Sequence, residues 1–127
     1  MRTSSATGLV LFAHGARDAQ WADPFRHIAQ QVSVLCPSAR VELAFLELMT
    51  PNLSDCIEQL AQAGLFQITL VPLFMASGGH LKKDLPRLIQ AIQERHPQCT
   101  IRVTQAIGES PELLQAIALW VAQSATL

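Results

Sequence analysis

Residues 68–86 read ITLVPLFMASGGHLKKDLP: an apolar run rich in β-branched and large side chains, a glycine pair, then a histidine and two lysines. A short apolar run bounded by turn residues reads as a buried strand. The residues beyond it place Leu85, Leu88, Ile89 and Ile92 at the three-to-four spacing of a helix. The unit is therefore strand, glycine-rich turn, helix. Pro72 removes one ladder donor, so the strand ends or bulges early. The helix begins either just after Gly79 or near Asp84 and Pro86.

The same unit recurs outward in both directions. LVLFA (9–13), VELAFL (41–46) and TIRVT (100–104) join ITLVPLF as four strand candidates, and helical periodicity fills the gaps between them. Alternating strands and helices predict one α/β domain over residues 1–127, a four-stranded parallel sheet of order 2-1-3-4 with helices on both faces. Three helix starts show a capping residue followed by proline: Asp23-Pro24, Thr50-Pro51 and Ser110-Pro111. Behind them lie apolar stripes, Phe25, Ile28, Ala29, Val32 and Leu35 in the first helix, Leu53, Ile57, Leu60 and Ala61 in the second, and Leu113, Leu114, Ile117, Ala118 and Val121 in the last. Each stripe is expected to lie on the sheet. Pro37, Gly64 and Pro97 mark helix ends. The first two strands are expected to be buried on both faces, with Glu42 at an outward or edge position.

Composition narrows the function classes. Half of the 127 residues are apolar and 15% are charged, a balance that supports one packed core without staples. A net charge of −1 offers no general field for nucleic acid or an anionic membrane, so neither is expected as a partner. Any anion must instead be held by a local cluster, and Lys82, Lys83 and Arg87 form one. Cys36, Cys56 and Cys99 are odd in number and have no CxxC spacing, which speaks against a disulfide framework and a thiolate zinc site. GLVLFA is too short for a signal-peptide core or a membrane span, so a cytoplasmic protein is expected.

In open parallel sheets, ligands bind beyond the carboxyl ends of the strands, where neighbouring strands send their connections to opposite faces. For the order 2-1-3-4 that point lies between strands one and three. His14 follows the first strand and His80 follows the third, so two imidazoles distant in sequence are expected in one crevice, with Glu47 at the end of strand two on the same rim. Gly78 and Gly79 then allow positive φ or the close approach of a flat ligand, and the helix start beyond them presents free N–H groups to an anion. Each residue also has a plainer reading. His14 can bond a neighbouring carbonyl, Glu47 can be a solvated strand-end charge, Lys82 and Lys83 a solvated helix face, and Arg17 a tie for its own loop. Trp21 reads as packing beside a helix start, and His27 and His96 as structural. There is no P-loop, no GxSxG and no G-x-G-x-x-G.

FAHGARD (12–18), AFLELMTPNL (44–53) and VPLFMASGGHLKKDLP (71–86) together resemble the small CbiX-type sirohydrochlorin cobaltochelatases, the short class II chelatases. The likeness runs from about Leu9 to Ala122 and rests on the joint occurrence of HGxR, FxE and PLFxxxGxH. It implies a chelatase-like fold that inserts a divalent metal into sirohydrochlorin on the route to cobalamin, with Co2+ as substrate before Ni2+ or Fe2+ and no organic cofactor. In that family the two histidines bind the metal or accept pyrrole protons, roles that fall on His14 and His80, while the FxE acid falls on Glu47. Arg17, Gly78, Gly79, Lys82, Lys83 and Arg87 would meet the carboxylate-rich macrocycle. The resemblance also implies a homodimer, because related long forms carry two such domains. The sequence departs from the family at Ala16, where serine is common, and at Ser110, where histidine is frequent.

Overall fold

The computed structural model describes residues 7–76 and 78–126, without the side chain of His80. β1 (Thr7–Ala13) lies inside a parallel sheet, between β2 (Ala39–Phe45) and β3 (Gln67–Pro72), and β4 (Thr100–Val103) extends the sheet beyond β3. The order is β2-β1-β3-β4, as the alternation of elements predicts. Leu11 stands opposite Leu43 on one side and Val71 on the other. β3 stops at Pro72, the residue that cannot continue the ladder.

Alternation along β1 divides the core in two. Val10 and Phe12 join Ile68 and Leu70 under α2 (Leu53–Gln62) and α3 (Gly79–Arg95), where Leu53, Ile57, Leu60 and Ile92 are all but fully buried. Each such side chain contributes roughly 1.5–3 kcal/mol by leaving water. Ala13 and Phe45 pack on the other face with Phe25 of α1 (Asp23–Leu35) and with Trp21. Trp21 lies 4.7 Å from the Phe25 ring, so its packing reading holds. The helices thus cover both faces. No described helix is long and apolar enough to cross a membrane.

Four expectations need correction. β2 is an edge strand and mostly half-buried, because no described strand pairs with its outer side, which makes an isolated bridge from Phe45 to Asn52; Glu42 there bonds Arg40 at 2.8 Å. Thr50 does not cap α2. The Thr50–Pro51 peptide is cis and lies in the loop, and Asn52, a stronger cap than threonine, accepts the Asp55 N–H at 2.8 Å. Asp23 is itself the first residue of α1, following Ala22, which makes no side-chain cap bond. α4 (Pro111–Ser124) starts as predicted, with Ser110 Oγ accepting the Leu113 N–H at 3.3 Å, but its stripe does not lie on the sheet. Every described residue of α4 is exposed.

α3 resolves the open helix start in favour of Gly79, with Gly78 as N-cap and Pro86 inside the helix. Leu81, Leu85, Leu88 and Ile89 hold it against the core despite the backbone bond that the proline forfeits.

Candidate functional site

Past their carboxyl ends, β1 and β2 remain bonded. The Leu46 N–H donates to the Ala13 carbonyl at 2.9 Å and the Glu47 N–H to the His14 carbonyl at 3.1 Å. The two loops approach so closely that a Cβ on Gly15 would stand 1.9 Å from the Glu47 carbonyl oxygen, and Gly15 has φ of +96°. Only glycine fits both demands. The effect is to set two side chains shoulder to shoulder: His14 Nε2 is 3.0 Å from Glu47 Oε1. A carboxylate can only accept, so Nε2 carries the hydrogen, and in the neutral imidazole Nδ1 then holds the free lone pair. The side chains are 54% and 55% exposed, and a pair so open to solvent contributes about 0–1 kcal/mol to folding. Stability does not account for this pair.

The β3 and β4 loops are joined in the same manner. The Gly108 N–H donates to the Phe74 carbonyl at 3.0 Å, and a Cβ on Gly108 would stand 1.6 Å from the Met75 carbonyl oxygen. The buried Phe74 ring meets Phe12 edge-on at 5.6 Å and His14 edge-on at 6.3 Å, which brings the exit of β3 up to the imidazole. α3 begins five residues after Phe74. His80 is its second residue, and the His80 side chain lies outside the described residues. Lys82, Lys83 and Arg87 lie in the first three turns of α3; Lys82, Lys83 and Arg87 are exposed there, and Arg17 is exposed in the loop after β1.

The structure therefore brings His14 and Glu47 together and sets Phe74, just past the end of β3, against His14. Of the two roles expected of Gly78 and Gly79, positive φ is absent. Gly78 has φ of −64°, and a Cβ on either glycine meets nothing within 4 Å. At this edge of the sheet the glycines that the backbone requires are Gly15 and Gly108. Sequence reasoning missed both, although a glycine close behind a buried strand is itself a signal of close approach. Among the described residues no three His, Cys, Asp or Glu side chains gather in a way that could hold a metal ion. A groove of about 1040 Å³ opens beside the site and runs along α3, from Phe74 and Lys82 to Pro97.

Fold and edge together define a doubly wound α/β domain whose exposed imidazole–carboxylate pair sits on the carboxyl edge of the sheet, where β1 borders the switch point. The CbiX family model matches residues 8–124, and the chain belongs to the CbiX family. Two relatives named sirohydrochlorin cobaltochelatase are similar over part of their length. One, from Methanopyrus kandleri, is 32% identical over 81 residues, which is 64% of this chain and 57% of the relative. The other, from Saccharolobus solfataricus, is 35% identical over 82 residues, 65% of this chain and 62% of the relative. The matches thus span about three-fifths of these relatives. Among solved structures, a CbiX protein from Marinobacter aquaeolei superposes with a TM-score of 0.84 at 34% identity, covering 94% of this chain and 98% of that one. The sirohydrochlorin chelatase SirB of Bacillus subtilis subspecies spizizenii, solved with cobalt, superposes at 0.73 with 25% identity, covering 93% of this chain and 50% of that one.

Proposed function

We propose that this protein is a chelatase that inserts a divalent metal ion, Co2+ foremost, into sirohydrochlorin on the route to cobalamin. The observation that carries the reading is the solvent-open pair of His14 and Glu47 at the carboxyl edge of the sheet. Membership of the CbiX family and the names of the partial relatives support it.

Insertion must strip two N–H protons from the macrocycle and pass the metal ion from protein to pyrrole nitrogens. In this reading His14, with Nε2–H donated to Glu47, offers Nδ1 as metal ligand or proton acceptor, and His80 offers the second nitrogen. So few donors suit a metal that has to leave, whereas a complete tetrahedral cage retains it. Nitrogen and oxygen donors accept Co2+, Ni2+ and Fe2+ alike, so Co2+ rests on the relatives' names. Arg17, Lys82, Lys83 and Arg87, with Gly78 and Gly79, form the rim that receives the substrate's carboxylates. No organic cofactor is required. We further read the chain as a cytoplasmic homodimer.

The test follows the absorption of sirohydrochlorin with Co2+, Ni2+ or Fe2+ offered in turn. His14→Ala and His80→Ala should each slow insertion by roughly 10²–10⁴-fold, and Glu47→Gln by about 10–100-fold. Equal rates from wild type and both histidine variants would sink the mechanism. Tight sirohydrochlorin binding without faster metal uptake would make the protein a carrier instead.

A further inference from the structure

Leu48 stands against two preferences at once. Among the described residues it is the only one besides glycine with positive φ, at +67°. In that region the Cβ of an L-residue crowds the following carbonyl oxygen, and asparagine or glycine occupies it more readily. Leu48 is also 60% exposed. An exposed leucine is ordinary. An exposed leucine in the left-handed region is not, since a small polar residue would suit both the backbone and the solvent better.

The loop around Leu48 is tied from two sides. Leu46 packs against the core under α2 and α3, and Met49 packs against Ala13, Ala22 and Phe45 on the other face of the sheet. The Glu47 N–H is held by the His14 carbonyl at 3.1 Å, and the Glu47 carbonyl lies against Gly15. A backbone determined this firmly can keep a strained residue, and it keeps Leu48 in solvent directly after Glu47. A second apolar side chain is presented in the same manner. Phe74 is buried against Phe12 and meets His14, yet Met75, the next residue, is 54% exposed, and its carbonyl lies against Gly108. Each of the two groups that touch His14 is thus followed in the chain by an exposed apolar residue on closely packed backbone.

We propose, resting on the reading of this site as one for sirohydrochlorin, that Leu48 and Met75 are substrate-contact residues: their side chains meet the apolar face of the flat conjugated macrocycle while its carboxylates reach the cations of the rim. Cations can fix the periphery of such a ring, but only apolar groups replace the water that leaves its face. The strain at Leu48 is then retained for binding and works against folding.

The test measures sirohydrochlorin binding without metal, by absorption or fluorescence titration, beside the rate of insertion with Co2+. Leu48→Asn, which suits the left-handed backbone, should raise the urea midpoint and weaken sirohydrochlorin binding by about 10-fold. Met75→Gln, similar in size, should weaken it by roughly 3–10-fold. In both variants the loss in kcat/KM should be carried by KM. The ratio of variant to wild-type Kd should hold from low to high salt, as a contact without charge requires. Leu35→Asn, at an exposed apolar position on α1, should bind as the wild type does. Unchanged affinity in either variant overturns the contact at that residue and leaves the metal-insertion reading standing. A lower urea midpoint in Leu48→Asn overturns the role of Leu48 as well, because packing then holds the leucine. A wild type that binds sirohydrochlorin without inserting metal overturns the insertion reading alone, and one that does not bind it overturns both.

Discussion

Gly15 shows how much of the site a single hydrogen atom can decide. Its φ of +96° and the 1.9 Å that would separate a Cβ from the Glu47 carbonyl oxygen leave no room for a side chain. Gly15→Ala should therefore cost roughly 2–4 kcal/mol, measured by urea denaturation, and should part His14 from Glu47. Gly78→Ala, where a Cβ meets nothing within 4 Å, should leave stability nearly unchanged. The three thiols divide in the same residue-level way. Cys36 is exposed, while Cys56 and Cys99 are buried, and burial pushes both buried thiols up in pKa, Cys56 to about 12 with Glu42 adding to the rise. A thiol reagent at pH 8 should label one cysteine quickly and the others only on unfolding. A thiol held above its ordinary value of 9.0 stabilises the fold below about pH 9, and that contribution is lost as pH climbs toward 12. The urea midpoint should thus fall above pH 9, and less steeply in Cys56→Ala.

At the scale of elements, the caps provide a direct test of which residue starts α2. Asn52→Ala should cost about 1 kcal/mol while Thr50→Ala costs a few tenths, read from thermal or urea unfolding. The order of elements was legible because strand runs and helical stripes differ in period, and Ser110-Pro111 was legible because both cap and proline act locally. Thr50-Pro51 misled because proline at a helix start and proline in a loop look alike in sequence, and the deciding bond, from the Asp55 N–H to Asn52, depends on backbone shape. The stripe of α4 misled for another reason. Periodicity reveals that a helix has an apolar side without revealing against what it lies.

At the scale of the whole molecule, the homodimer read under the proposed function would make folding and association one equilibrium, and the urea midpoint should then rise with protein concentration. The candidate site was legible in part. His14 and Glu47 meet because parallel strands in the order β2-β1-β3-β4 deliver their carboxyl ends to one edge, which topology alone predicts. The glycine contacts beneath the site were not legible, since they depend on how two loops separated by some 30 residues cross. Those contacts, Gly15 against Glu47 and Gly108 against Met75, fasten the four loops into two jaws. Beyond the last strand residues, the jaws touch where the Phe74 ring meets His14 edge-on. The Leu73 N–H also bonds the Phe12 carbonyl at 2.8 Å across that seam, so a broad, flat guest meets a fixed edge, with the imidazole standing on the lip of one jaw.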